Sequence, residues 1–253
     1  MILHSSELGA GPPVCLLHGL FGVGRNLGAV ARALAPRHRV LMLDLRNHGA
    51  SPHAPAMDFA TLAADVRETL AALGALPAAL LGHSLGGKVA MRLALADPAA
   101  VTRLLVADIA PIANPPHFHD IAAAMLALPL TPGLTRAKAS LALTSAIPDA
   151  ALRTFLLQNL TIDPPAWRIG LPEIIAALPT IEGWTTPPRT HSPGPTHFLA
   201  AEHSTYIPNS AHATIRALFP AARIEVIHGA GHWLHADQPA AFNAAVTAFL
   251  TPA

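Results

Sequence analysis

AALLGHSLGGKVAM, residues 78–91, passes from small apolar residues into Gly82-His83-Ser84-Leu85-Gly86 and then into an apolar run at helical spacing. A strand that turns sharply into a helix brings its backbone against neighbouring elements, and side chains two positions before and after the apex would collide there. Glycine at 82 and 86 removes the collision and leaves Ser84 exposed at the apex, above a helix N-terminus. A glycine-rich turn with an incidental serine cap would read the same in isolation. The strand before it and the helix after it favour a nucleophile elbow.

Outward from this turn, short apolar runs predict buried parallel strands at 13–18, 39–45, 78–83, 104–109, 196–201 and 223–228. DFATLAADVRETLAALG (58–74) predicts a helix with Leu62, Val66, Leu70 and Leu73 on one face, Asp65 and Glu68 off it, and Gly74 as its stop. Strands alternating with helices imply right-handed crossovers, so the expected class is α/β with a doubly wound, mostly parallel sheet. Ligands in such sheets bind beyond the carboxyl ends of the strands.

From Pro111 to Pro195 the rhythm changes: strand-like runs vanish, prolines multiply, and HDIAAAMLALP (119–129) and DAALRTFLLQNL (149–160) predict short helices. The expectation is a core from 1–110 and 196–253, with a helical lid at 111–195 inserted before the next-to-last strand. PPRTHSPGP (187–195) is too short to link independent domains, and no internal repeat is present.

The 253 residues suffice for one large α/β domain. Although 52% are apolar and only 12% charged, no uncharged apolar run approaches the roughly 18 to 20 residues that span a bilayer. The opening residues 1–19 lack a basic region followed by an apolar core and a small-residue cleavage site, which predicts no secretory signal and a cytoplasmic protein. The single cysteine, Cys15, sits in an apolar run as a packing thiol and forms no internal disulfide. A net charge of +1 without a Lys/Arg cluster leaves no electrostatic footprint for nucleic acid or an anionic membrane. A small-molecule substrate is the expected partner.

A serine hydroxyl is a poor nucleophile at neutral pH and needs a base, normally a histidine oriented by a carboxylate. Of 15 histidines, His232 in HGAGHWLHADQP (228–239) follows the last strand on a glycine-bearing loop. His235 is the alternative in that loop. His18, His48 and His83 lie near strand ends and read as packing or hydrogen-bonding groups. His117 and His119 resemble a metal-binding fragment, but no further ligands stand at a recognisable spacing, so no metal is expected. Backbone amides of Leu85 at the elbow and Leu20 in LLHGLFG (16–22) are the candidate oxyanion donors. Such a set needs no cofactor. Two carboxylates compete as acid: Glu202, after the next-to-last strand, and Asp108, at the end of LLVADI (104–109).

HGLFG (18–22), DLRNHGASP (44–52), GHSLGGKVAM (82–91), DIAP (108–111) and AGHWLHADQP (230–239) follow one another across most of the chain. In this order they resemble the α/β-hydrolase superfamily and, more narrowly, the YbfF-type short-chain acyl esterases. GHSLGG marks only the superfamily; RNHG-x-SP together with DIAP is more selective. The resemblance implies Ser84 as nucleophile, His232 as base, Asp108 as acid, Leu20 and Leu85 as oxyanion donors, and Ser204 in EHSTY (202–206) as a serine assisting the histidine. WRIGLP (167–172) also looks familial. Implied is hydrolysis of short-chain acyl esters or thioesters through an acyl-enzyme. The short N-terminal stretch departs from the pattern and predicts six or seven strands rather than eight. Haloalkane dehalogenases and epoxide hydrolases attack with a carboxylate, and the elbow residue here is serine. Carbon–carbon bond hydrolases and cofactor-free perhydrolases keep a serine triad and remain alternatives. A catalytically silent binding module would not need the intact set of Ser, His and carboxylate.

Overall fold

The computed structural model describes residues 1–187 and 190–251. Pro188 and Arg189 of the PPRTHSPGP segment lie outside the described residues. The strands are β1 (Ser5–Leu8), β2 (Pro13–Leu17), β3 (Arg39–Leu43), β4 (Ala78–His83), β5 (Val101–Ala107), β6 (Leu160–Ile162), β7 (Pro165–Trp167), β8 (Thr196–Ala201) and β9 (Ala222–Ile227). The helices are α1 (Gly28–Leu34), α2 (Phe59–Ala72), α3 (Leu85–Ala96), α4 (Phe118–Ala127), α5 (Arg136–Ala142), α6 (Ala150–Leu157), α7 (Leu171–Ile181), α8 (His212–Leu218), α9 (Leu234–Asp237) and α10 (Pro239–Leu250).

Seven strands form one sheet in the order β1-β3-β2-β4-β5-β8-β9, parallel except for β1, which runs antiparallel to β3. The strand order reverses around β2 and β4, the switch point where an open α/β sheet leaves its crevice. β4 is buried at every residue, as a run of small and branched apolar residues between two parallel neighbours requires. One face of the sheet packs on α1 and α10 through Val30, Leu34, Phe242 and Val246. The other packs on α2 and α3 through Leu62, Val66, Val89 and Leu93.

Helices α4 to α7 lie between β5 and β8. Their buried residues, among them Met125, Leu156 and Ile174, belong to the same apolar cluster as α2 and α3. Besides β1, which no apolar run announces, two features differ from the sequence reading. The stretch 111–195 is not purely helical: β6 and β7 pair as a short antiparallel hairpin. Each strand has three residues, too few to show an apolar alternation. Asp65, expected off the apolar face of α2, is 2% exposed. Arg46 grips it with Nε and Nη2 at 2.7 and 2.9 Å, a bidentate pair that makes its burial tolerable. Among the described residues no helix is long and apolar enough to cross a membrane.

Candidate active site

Ser84 stands between β4 and α3 at φ 52°, ψ −118°, a left-handed conformation that a side-chain-bearing residue adopts only when its surroundings impose it. The tightness has a visible cause. A Cβ on Gly82 would strike the Gly86 carbonyl, and one on Gly86 would strike the carbonyls of Leu17 and His18. Ser84 N–H donates to Ala107 O at 3.0 Å and Gly86 N–H to His18 O at 3.1 Å, which fastens the turn to the strands on both sides.

Asp108 follows β5 at φ 47° and is 1% exposed. Three donors converge on it: Ala201 N–H at 3.0 Å on Oδ1, and Ser204 Oγ at 2.5 Å and His232 Nδ1 at 2.7 Å on Oδ2. Because Asp108 accepts at Nδ1, the Nε2 of His232 is left as the free basic nitrogen. Ser84 and His232 line the same cleft, whose cavity volume is about 60 Å³. No hydrogen bond joins them among the described residues; such bonds are often long in an unloaded site and tighten around substrate. The structure thus brings together Ser84, Asp108, His232 and Ser204.

Leu20 and Leu85 flank Ser84 in a second, smaller space of about 30 Å³. Their backbone N–H groups make no hydrogen bond among the described residues, whereas the neighbouring amides of Phe21, Gly22 and Gly86 are all engaged. Glu202, by contrast, is turned away, accepting Gly229 N–H at 2.7 Å and His228 Nδ1 at 3.0 Å on the surface. His235 does not meet a carboxylate. Its ring lies 5.1 Å from that of His83, its Nδ1 has no partner among the described residues, and burial pulls it down to about 4. His117 and His119 join no group of three or more His, Cys, Asp or Glu side chains fit to hold a metal among the described residues. Cys15 is buried and free, and burial raises its thiol far above the ordinary range.

His83 takes the hydrogen-bonding role expected of it, whereas Tyr206 and Lys88 carried no sequence signal of theirs. His83 donates from Nε2 to the backbone carbonyl of His232 at 2.8 Å, and burial pushes it well below its ordinary value. Tyr206 stacks on the His232 ring at 4.2 Å. Its hydroxyl meets His117 Nε2 at 2.7 Å, and burial, reinforced by the Asp108 charge, raises it to about 12. Lys88, on the helix that follows the elbow, is 2% exposed. It donates to Gly183 O at 2.7 Å and Glu182 O at 3.2 Å beyond the end of α7, and burial lowers it to about 8. A tyrosine two residues after Ser204 and a lysine one turn after Ser84 are legible as residues, but the hydrogen-bond partners of their side chains lie in the stretch 111–195.

A serine at a strand-to-helix turn of a mostly parallel sheet, with a buried acid after the adjacent strand β5 and a histidine after β9, defines a hydrolase of the α/β class. The family model for the alpha/beta hydrolase fold matches residues 12–239, and the chain belongs to that family. Mouse sn-1-specific diacylglycerol lipase ABHD11 is 41% identical over 251 residues, covering 94% of this chain and 81% of the mouse protein. Esterase YbfF of Escherichia coli strain K12 is 35% identical over 239 residues, covering 94% and 92% of the two chains. A marine microorganism esterase of known structure superposes with a TM-score of 0.95 at 34% identity, covering 99% of this chain and all of that one. The chain is therefore an enzyme of the family's esterase and lipase branch.

Proposed function

We propose that the protein hydrolyses small carboxylic esters or thioesters through an acyl-enzyme on Ser84. The observation that carries this reading is Asp108, buried and holding His232 at Nδ1, beside a serine forced to the apex of a strained turn. His232 Nε2 takes the Ser84 proton as Oγ attacks the acyl carbon, and the resulting oxyanion is received by the amides of Leu20 and Leu85. His232 then protonates the leaving alcohol or thiol, and a water activated by the same nitrogen releases the acid. Ser204 steadies Asp108. The inserted segment acts as a lid, since Phe118, Leu152 and Phe155 roof the cleft over Ser84 and an apolar roof excludes water from the intermediate. Both spaces beside Ser84 are small, which supports a preference for short acyl groups; a chain-length series of p-nitrophenyl and acyl-coenzyme A esters measures it.

A fluorophosphonate probe followed by peptide mass spectrometry is expected to place a single adduct on Ser84. Ser84→Ala should lower kcat by about a million-fold, as for a nucleophile acting within a triad. Labelling of a different serine in the folded enzyme, or retention of activity by the alanine variant, would end this reading.

A further inference from the structure

Gly19-Leu20-Phe21-Gly22 is a turn closed by Gly22 N–H donating to Gly19 O at 2.9 Å. Its third residue, Phe21, has φ 59°. A type II turn requires that left-handed conformation at this position, and glycine or asparagine ordinarily supplies it. Phenylalanine there is strained. A flip of the central Leu20–Phe21 peptide would return Phe21 to negative φ and convert the turn to type I. Contacts outside the turn must therefore hold it.

Two buried side chains do so. His48, wholly buried, accepts Phe21 N–H at Nε2, 3.1 Å away. Its Nδ1 donates to Arg46 O at 2.8 Å, which settles the tautomer that leaves Nε2 an acceptor. The flip would exchange Phe21 N–H for the Leu20 carbonyl and set oxygen against that lone pair. On the other side, Asn159 Nδ2 donates to Phe21 O at 2.7 Å. Asn159 follows α6 in the inserted segment, is 1% exposed, and leaves its Oδ1 without a partner among the described residues. A leucine of similar size would avoid that unsatisfied oxygen; Nδ2 also meets Leu156 O at 3.2 Å, but that carbonyl already accepts Asn159 N–H at 3.1 Å, so Phe21 O is the group that depends on the amide. The peptide before Leu20 is fixed as well: Gly19 O accepts Gly22 N–H and His18 Nδ1 at 2.8 Å, and in a trans peptide Leu20 N–H must point the opposite way.

We propose that His48 and Asn159 are positioning residues of the oxyanion turn: they clamp Phe21 in its left-handed conformation, keep the Leu20 amide aimed beside Ser84, and make that aim depend on the seating of the inserted segment. This rests on the serine-hydrolase reading above. Neither side chain touches the reacting atoms. Both act through Phe21, whose ring also packs edge-on against Phe118 of α4 with centroids 6.0 Å apart.

The test pairs steady-state kinetics on p-nitrophenyl butyrate with affinity for a trifluoromethyl ketone. Ser84 Oγ adds to the ketone carbonyl, its proton passes to His232, and the adduct's oxygen occupies the oxyanion position. Asn159→Leu is expected to lower kcat about 10- to 100-fold, less than outright removal of an oxyanion donor, with KM within about twofold. Ketone affinity should fall by the same factor as kcat while Tm changes only modestly, since the variant removes one unsatisfied buried oxygen and leaves another, Phe21 O, without its donor. His48→Gln, which keeps an acceptor, should retain more activity than His48→Leu. An Asn159→Leu enzyme with kcat within about twofold of the parent, or with a kcat loss that ketone affinity does not share, overturns the clamp. If His48→Leu fails to fold, the Asn159→Leu measurements decide alone. A parent enzyme that takes no fluorophosphonate on Ser84 overturns the underlying reading instead; a labelled parent with an indifferent Asn159→Leu overturns only the clamp.

Discussion

Strands β5 and β8 run side by side, with Ala107 opposite Leu199, and each delivers a carboxylate to the edge of the sheet where Ser84 stands. Asp108 follows β5 and turns inward, 1% exposed, with Ala201, Ser204 and His232 all donating to it. Glu202 follows β8 and turns outward, its side chain 41% exposed, holding the backbone of Gly229 and the ring of His228, with His203 Nε2 at 3.9 Å. One β8 residue separates the two fates: Ala201 N–H fastens Asp108, and the next residue points to solvent. Strand-end position supplies the opportunity for an acid, whereas burial with convergent donors supplies the means to orient an imidazole.

The largest effect that can break this contrast is at Asp108. An acid that fixes the histidine tautomer and stabilises the imidazolium is worth on the order of ten-thousand-fold in kcat. Asp108→Asn is expected to lose roughly a thousand-fold or more, because the amide can offer Nδ2 to His232 and reverse the tautomer. Active-site titration with the fluorophosphonate would separate this loss from a loss of folded enzyme. A variant within about tenfold of the parent would remove Asp108 from the mechanism.

Local sterics explain why some of this was legible. The Ser84 turn is encoded by two glycines whose absent Cβ atoms clear Leu17, His18 and Gly86, and the central strands by apolar runs that need no partner to be recognised. β1 was not read because Ser5–Leu8 is an edge strand, with Glu7 and Leu8 both exposed, and it shows no buried face. Asp65 was misplaced because the group that buries it, Arg46, comes from another segment. For the acid, spacing alone left Asp108 and Glu202 open. What separates them is the direction of two side chains: Asp108 is held by partners 93, 96 and 124 residues away in the chain, and Glu202 by partners 26 and 27 residues away. Phe21 and Asn159 are more distant still, and neither residue type announces the pairing.

Acid sharpens the contrast between the buried interior and the exposed surface. Burial holds His48 near 3 and His235 near 4, and pushes His83 well below its ordinary value. In the unfolded chain each would titrate near 6.5. Below that pH the unfolded state binds more protons than the folded one, so stability falls with acidity from about pH 6.5 towards pH 4, by about 1.4 kcal/mol per pH unit for each such histidine. Urea denaturation at steps between pH 7.5 and 5 should show this slope, and His235→Gln should reduce it by about one proton. Equal stability at pH 7 and pH 5 would contradict the buried assignment. Glu202, its pKa lowered mainly by Gly229 N–H, adds stability that is fully present above the ordinary carboxylate range and is lost only as pH falls through its lowered pKa, and it does so from the surface.

A smaller effect is expected at Ser204. Its hydroxyl donates to Asp108 Oδ2 and accepts Tyr206 N–H at 3.3 Å. Ser204→Ala removes one of three donors to a buried carboxylate, an interaction worth about 1.5 to 3 kcal/mol when intact. Because Ala201 and His232 keep Asp108 oriented, the change in kcat should stay at about three- to tenfold. A thousand-fold loss would show that Ser204 carries more of the acid's orientation than the geometry allows.

The smallest effect should be at Glu202, and it tests the contrast from its other side. Glu202→Gln keeps an oxygen for Gly229 N–H and loses the ionic part of exposed contacts with His228 and His203, which solvent screens. Gly229 nevertheless begins the loop that carries His232, at φ 71°, so a loosened acceptor there has a short path to the imidazole. That path makes a small loss reasonable and a large one hard to reach, since His83 and Asp108 hold His232 independently at its carbonyl and its Nδ1. Glu202→Gln is therefore expected to keep kcat within about tenfold of the parent, with KM unchanged. If this variant proved crippled while Asp108→Asn stayed near the parent, the two carboxylates would have to exchange roles, and the buried donors around Asp108 would need another explanation.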